Sequence, residues 1–167
     1  MRSALVSRRS RLLAAAAVAV VLATGCFGGG GGRVQSFPSG TSYEQRAERD
    51  LFNLVNRDRT RAGLPALAWD DRLGGLALEW SHQMAATRNF SHRNLGAALG
   101  ELPGFTRLAE NILVGQCGMT GAEMHQAWMN SSGHRANIMS GSYNAIGIGV
   151  VCSSDGRVWA TEDFGRR

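Results

Sequence analysis

From Ser42 onward apolar residues recur at helical spacing, with Ala47, Leu51, Leu54 and Val55 on one face. Thr41-x-x-Glu44 and Ser42-x-x-Gln45 both have the spacing of a capping box. The pattern predicts a first helix, stopped by Gly63 and Pro65. Asp70 then reads as the N-cap of a second helix whose buried stripe is Leu73, Leu76, Ala77, Trp80 and Met84. Gly74 and Gly75 weaken that helix, which implies close packing against a neighbour. Residues 90–118 are irregular, with Gly96, Gly100, Pro103 and Gly104 marking loops around a short apolar piece at 109–114. A third helix fits Gly121–Asn130; Gly133, at a positive φ, breaks it before a last helical turn at 135–139. Residues 145–150 alternate with period two, and residues 158–164 follow an Asp155-Gly156 turn, which predicts a closing hairpin. Helices first and a hairpin last predict an α+β sandwich.

The first 25 residues follow a different pattern. Arg2, Arg8, Arg9 and Arg11 precede a run of 12 uncharged apolar residues at 12–23. That is the plan of a signal peptide, and it falls short of the roughly 20 apolar residues of a membrane-spanning helix. All 18 basic residues are arginine, and with four of them in this leader the remainder nearly balances the 13 acidic ones. A near-neutral body argues against a nucleic-acid partner, which calls for a basic face. A hydrophobic share of 44% argues against disorder of the main body.

Leu22-Ala23-Thr24-Gly25-Cys26 resembles a bacterial lipobox, with Ala23 where leucine is usual, and so implies acylation of Cys26. Ordinary cleavage near Gly25 is the alternative. Ser7-Arg8-Arg9-Ser10 resembles a twin-arginine export signal, with Arg11 where phenylalanine is preferred; the general secretory route fits equally well. A glycine run at 28–32 and a Gly, Ser and Pro-rich stretch to residue 42 have the composition of a flexible tether. The expected organisation is a signal peptide at 1–25, a lipidated cysteine and linker at 26–42, and a folded domain at 43–167. The product is expected on the outer face of the cell membrane as a lipoprotein, or secreted. Of three cysteines, one lipidated leaves Cys117 and Cys152 to pair as a disulfide in an oxidising compartment.

Candidate chemistry is concentrated in Phe90-Ser91-His92, Ala109-Glu110-Asn111-Ile112, the run from Trp128 through His134 and Arg135, and Asn137-Ile138-Met139. Spacing alone does not bring His92, Glu110 and His134 together, since no i,i+4 helical relation links them. These segments, in this order, resemble the bacterial branch of the CAP superfamily of cysteine-rich secretory, antigen 5 and pathogenesis-related proteins. The resemblance covers roughly residues 43–164. It implies an α-β-α sandwich with a cleft in which His92, Glu110 and His134 match three of four family positions. The fourth, a glutamate in animal and plant members, is here Ser131, and Ala109 replaces the usual glycine before Glu110.

Losing that carboxylate leaves a metal dependent on the imidazoles of His92 and His134, with Glu110 as an oxygen ligand or orienting a bound water; zinc or a similar divalent cation suits such a site. Trp128 reads as core, Asn111 as a backbone-bonding residue, and His82 and His125 as ordinary helix residues. Two classes of function remain open. One is a binding module whose cleft takes a small ligand, lipid or metal, or whose faces meet a cell-envelope partner. The other is a metal-assisted hydrolase with Glu110 as general base, or with Ser131 as a nucleophile beside His134. No Gly-x-Ser-x-Gly elbow surrounds Ser131, and the binding module is the expected class.

Overall fold

A computed structural model describes residues 42–167. The signal peptide, Cys26 and all of the linker except Ser42 lie outside the described residues. Helix α1 (Tyr43–Arg61) opens on Ser42 rather than Thr41: the Ser42 hydroxyl accepts from the Gln45 amide, and the Gln45 side chain accepts from the Ser42 amide. After β1 (Ala68–Trp69), Asp70 caps α2 (Asp71–Thr87) by accepting from the amides of Arg72 and Leu73. The chain continues through α3 (Leu95–Gly100), β2 (Arg107–Gln116), α4 (Gly121–Asn130), α5 (Ser132–Ile138), β3 (Ala145–Cys152) and β4 (Arg157–Arg166).

Three expectations change. The irregular stretch contains α3 and a ten-residue strand, β2, instead of loops around a short apolar piece. Gly133 lies within α5 and is not among the positive-φ residues; the break between α4 and α5 is made by Ser131, whose backbone is extended at φ −93° and ψ 122°. Of the two glycines in α2, Gly74 is closely packed and Gly75 faces open space.

The sheet has the order β1-β3-β4-β2, with β3 and β2 antiparallel to β4 and β1 parallel to β3, so β2 forms one edge. Residues of even number on β3 and β4 face one core. There Ile146, Ile148, Val150, Val158, Ala160 and Phe164 meet Leu51 and Val55 of α1, Met124 and Trp128 of α4, and Ile138 of α5. The other face is covered by α2 and α3, with Leu73, Phe105 and Met84 against Ala145, Ile112 and Trp159. The expected α-β-α sandwich is thus formed. Cys117, just past β2, and Cys152, the last residue of β3, are joined as a disulfide with Cα atoms 5.6 Å apart, as expected. The bond closes a separation of 35 residues, which in the chain-entropy account contributes roughly 3–4 kcal/mol.

Two glycines of β3 set the depth of α2. A Cβ at Gly147 would lie 2.0 Å from the Gly74 nitrogen, and one at Gly149 would lie 2.2 Å from the Leu78 nitrogen. Backbone therefore packs on backbone, close enough for the Ser81 hydroxyl to donate to the Gly149 carbonyl at 2.9 Å. Neither backbone can yield cheaply. Gly149→Ala is expected to destabilise the protein by about 3 kcal/mol or more in urea denaturation. Gly75→Ala, with no atom within 4 Å of its new methyl, is expected to stabilise it by roughly 0.5–1 kcal/mol through helix propensity.

Candidate functional site

In the middle of β2 two polar residues interrupt the apolar pattern. Glu110 is in register with Asp163 and Asn111 with Glu162, so each pair lies on one face of the sheet. All four residues are buried. On the face of α2 and α3, Arg93 fills the space between the two acids. Its Nε donates to Glu110 Oε2 at 2.7 Å, its Nη2 to Asp163 Oδ2 at 2.8 Å, and its Nη1 to the Leu76 carbonyl at 3.1 Å. The guanidinium also lies 5.4 Å from the centre of the Trp80 ring. Two carboxylates against one cation in a dry setting leave an excess of negative charge. Burial, with Glu110 adding to it against the pull of Arg93, pushes Asp163 up to about 8.

His92 precedes Arg93 and shares its anchor: Nδ1 meets Glu110 Oε1 at 2.8 Å, while the Arg93 amide donates to the same oxygen at 3.2 Å. Both Glu110 oxygens are thereby engaged. The His92 side chain is 57% exposed, whereas that of Glu110 is fully buried, so a fixed carboxylate orients a ring that solvent can reach. Since the carboxylate accepts, the neutral ring carries its proton on Nδ1 and presents Nε2 as a lone pair.

On the opposite face the polar residues bind α5. The Asn111 amide donates to the His134 carbonyl at 3.1 Å and to Glu162 Oε2 at 3.0 Å, and its oxygen accepts from Asn137 at 2.9 Å. Burial pushes Glu162 up to about 8, against the hydrogen bond from Asn111. The outer rim of β2 is closed by side chains. Trp128 Nε1 donates to the Ile112 carbonyl at 3.1 Å and Asn137 to the Glu110 carbonyl at 3.3 Å, which covers the edge against pairing. His134 thus arrives from the α5 layer and His92 from the α2–α3 connection. Partial burial, and secondarily the charge of His92 nearby, hold the His134 imidazole below its ordinary pKa.

Of the residues singled out from sequence, His92 and Glu110 are in direct contact, His134 is within electrostatic reach of His92, and Asn111 bonds backbone as expected. Trp128 is core and also bonds the strand edge. Ser131 makes no side-chain cap to α5. Among the described residues, no group of three or more His, Cys, Asp or Glu side chains is placed to hold a metal. With both its oxygens taken, Glu110 is placed as the group behind His92 rather than as a ligand. His125 is more than an ordinary helix residue: it is buried on α4 and its Nε2 meets Asp58 of α1 at 2.9 Å.

Sequence reasoning missed Arg93, Glu162 and Asp163, and singled out the segment of Asn137 without giving that residue a role. The available signal was Glu162-Asp163 inside a predicted apolar strand, since buried acids demand partners. Removing Arg93 would leave Asp163 without its cationic partner and Glu110 with His92 alone. Arg93→Gln is expected to cost about 3–5 kcal/mol in denaturant unfolding at neutral pH. A buried unpaired carboxylate holds its proton more tightly folded than unfolded, so stability falls as pH rises. The deficit of the variant should therefore be smaller at pH 5 than at pH 8, and an equal deficit would contradict the assignment.

Comparison with known proteins places this chain in a family. The sequence model of the cysteine-rich secretory protein (CAP) family matches residues 52–164. A Bacillus subtilis protein, YkwD, described as uncharacterized, is 33% identical over 125 residues, covering 71% of this chain and 47% of its own. An extracellular protein of Bacillus anthracis containing an SCP domain has a solved structure that superposes with a TM-score of 0.63 at 31% identity, covering 74% of this chain and 41% of that one. An outer surface protein of Borrelia burgdorferi superposes with a TM-score of 0.65 at 21% identity over 72% of this chain and 92% of that one, a likeness of fold. The chain spans about half the length or less of the first two. With that match over most of the folded region, the chain belongs to the cysteine-rich secretory protein family.

Proposed function

We propose that the protein is an exported binding module of the cell envelope whose cleft presents the imidazoles of His92 and His134 to a ligand. The observation that carries this reading is the 2.8 Å contact of His92 Nδ1 with a carboxylate that Arg93 already holds. A histidine backed by a carboxylate has a fixed tautomer and a more basic outward nitrogen, the arrangement found behind metal-ligating imidazoles. The pKa of His134 lies below the usual histidine value, so its ring is neutral at physiological pH and able to ligate. A divalent cation such as zinc would be held by these two rings and would supply Lewis acidity, with water completing its coordination. The extracellular and outer-surface descriptions of the relatives support export, and Cys26 is the proposed lipid anchor.

A hydrolase is the weaker reading. A general base needs a free oxygen, and those of Glu110 accept from His92 and Arg93. Ser131 and His134 share no hydrogen bond that would activate a nucleophile among the described contacts.

Calorimetric titration of the purified protein with zinc tests the proposal. The wild type is expected to bind one equivalent, more weakly than a site with three protein ligands. His92→Ala and His134→Ala are each expected to abolish the heat while leaving the unfolding transition intact. Glu110→Gln, which can no longer offer a full carboxylate to His92, is expected to weaken binding by about 10- to 100-fold. Affinity should fall as pH drops, because protons compete with the metal for the ring nitrogens. Equal heats for wild type and both alanine variants would place any zinc elsewhere.

A further inference from the structure

The last rung of the β2–β4 ladder places Arg107 directly opposite Arg166, and both residues are exposed. Side chains so opposed have Cβ atoms about 4.5–5.5 Å apart, and like charges there repel. Neither arginine has an acid or carbonyl partner among the described residues. Among the described residues the other arginines apart from Arg135 do have partners: Arg49, Arg57, Arg61, Arg72, Arg88, Arg157 and Arg167 pair with acids, Arg93 bridges Glu110 and Asp163, Arg59 is held by carbonyls, and Arg46 is engaged as well.

Among the described residues no acidic side chain pairs with either arginine. By the period of two, Arg107 lies on the same face of β2 as Asn111, whose amide bonds the His134 carbonyl of α5. Arg135, the next residue, is exposed and without a partner among the described residues. From Ser131 to Asn144 there is no acidic residue, and the next acid along the chain is Asp155. Glu162, on the same face, is buried under α5, and its burial disfavours the charged form. The acids at the start of α2, Asp70 and Asp71, and Glu101 after α3, belong to the opposite layer, where Arg72 and Arg167 already hold Asp70.

We propose that Arg107 and Arg166 form a binding site for a phosphate ester. Two guanidinium forks offer more donors than the two oxygens of a carboxylate can accept, whereas a phosphate group has oxygens for both and charge enough to relieve their repulsion. The site is separate from the imidazole pair and does not depend on its reading. Its ligand chemistry is shared by a free phosphate ester and a phospholipid headgroup.

The test uses the whole protein carrying Cys26→Ser, so that no lipid anchor contributes. Inorganic phosphate is titrated while the arginine Nε–H signals are followed by NMR. Saturable shifts are expected at Arg107 and Arg166, with little at Arg61, whose guanidinium belongs to Asp58. Arg107→Gln and Arg166→Gln should each weaken binding at least tenfold and leave zinc binding and the melting temperature of the unliganded protein undiminished. Arg61→Gln, which removes the same charge elsewhere, should change affinity less than twofold. Vesicles of phosphatidylglycerol or of phosphatidylcholine then separate the sources. Retention on the anionic vesicles that is lost in both Gln variants assigns a headgroup, and saturable phosphate binding without retention assigns a free ester; either supports the site. No saturation with phosphate, or equal weakening by Arg61→Gln, would overturn it.

Discussion

The site depends on one buried cation. Arg93 enters between two strands' worth of acid, bridging Glu110 and Asp163, and its side chain is only 6% exposed. Dry ion pairs of this kind return little net stability, because desolvation consumes most of the Coulomb attraction. What they do here is fix geometry. Glu110 cannot rotate away from Arg93, so His92 is aimed by a carboxylate that has nowhere else to go. The excess negative charge is reduced by holding a proton on Asp163, whose pKa rises to about 8. Behind His92 therefore stand a guanidinium, one firmly held carboxylate and one buried acid, and the exposed imidazole is the part that meets solvent.

That wall can form only because α2 lies unusually close to the sheet. Gly147 and Gly149 remove the side chains that would otherwise separate them, and the approach lets Arg93 reach a main-chain carbonyl of α2 as well as two acids on the sheet. The other layer is tied to the same strand by a different device. Asn111, Asn137 and Glu162 form a buried hydrogen-bonded group under α5, and the His134 backbone is part of it. Glu110 and Asn111, adjacent in sequence and opposite in direction, thus anchor one histidine-bearing segment each. The strand edge between them is capped by Trp128 and Asn137.

Much of this was legible in the sequence, for physical reasons that can be named. The caps at Ser42 and Asp70, the helix Gly121–Asn130, the closing hairpin and the Cys117–Cys152 pair follow from local rules of capping, periodicity and counting. Strand β2 was hidden because Glu110 and Asn111 sit where a strand pattern demands apolar residues, and the tertiary partners that make those positions tolerable are distant in sequence. Helix α3, six residues beginning and ending near glycine, carries too little periodicity to register. Gly133 was expected to break the chain, yet Ser131 does so with ordinary extended backbone. The trio His92, Glu110 and His134 came from family resemblance, and the structure shows the contact of His92 with Glu110; the role of Glu110 was not legible, because nothing local to Glu110 announces Arg93.

The central claim is that Glu110 orients His92 from behind and leaves its outer nitrogen free. Long-range 15N–1H correlation spectra of the imidazoles read this directly. The account predicts that His92 is the Nδ1–H tautomer at pH 8, that Glu110→Gln shifts its equilibrium, and that zinc perturbs Nε2 of His92 while Nδ1 keeps its proton. A His92 ring protonated on Nε2, or zinc attached through Nδ1 with Glu110 displaced, would contradict it.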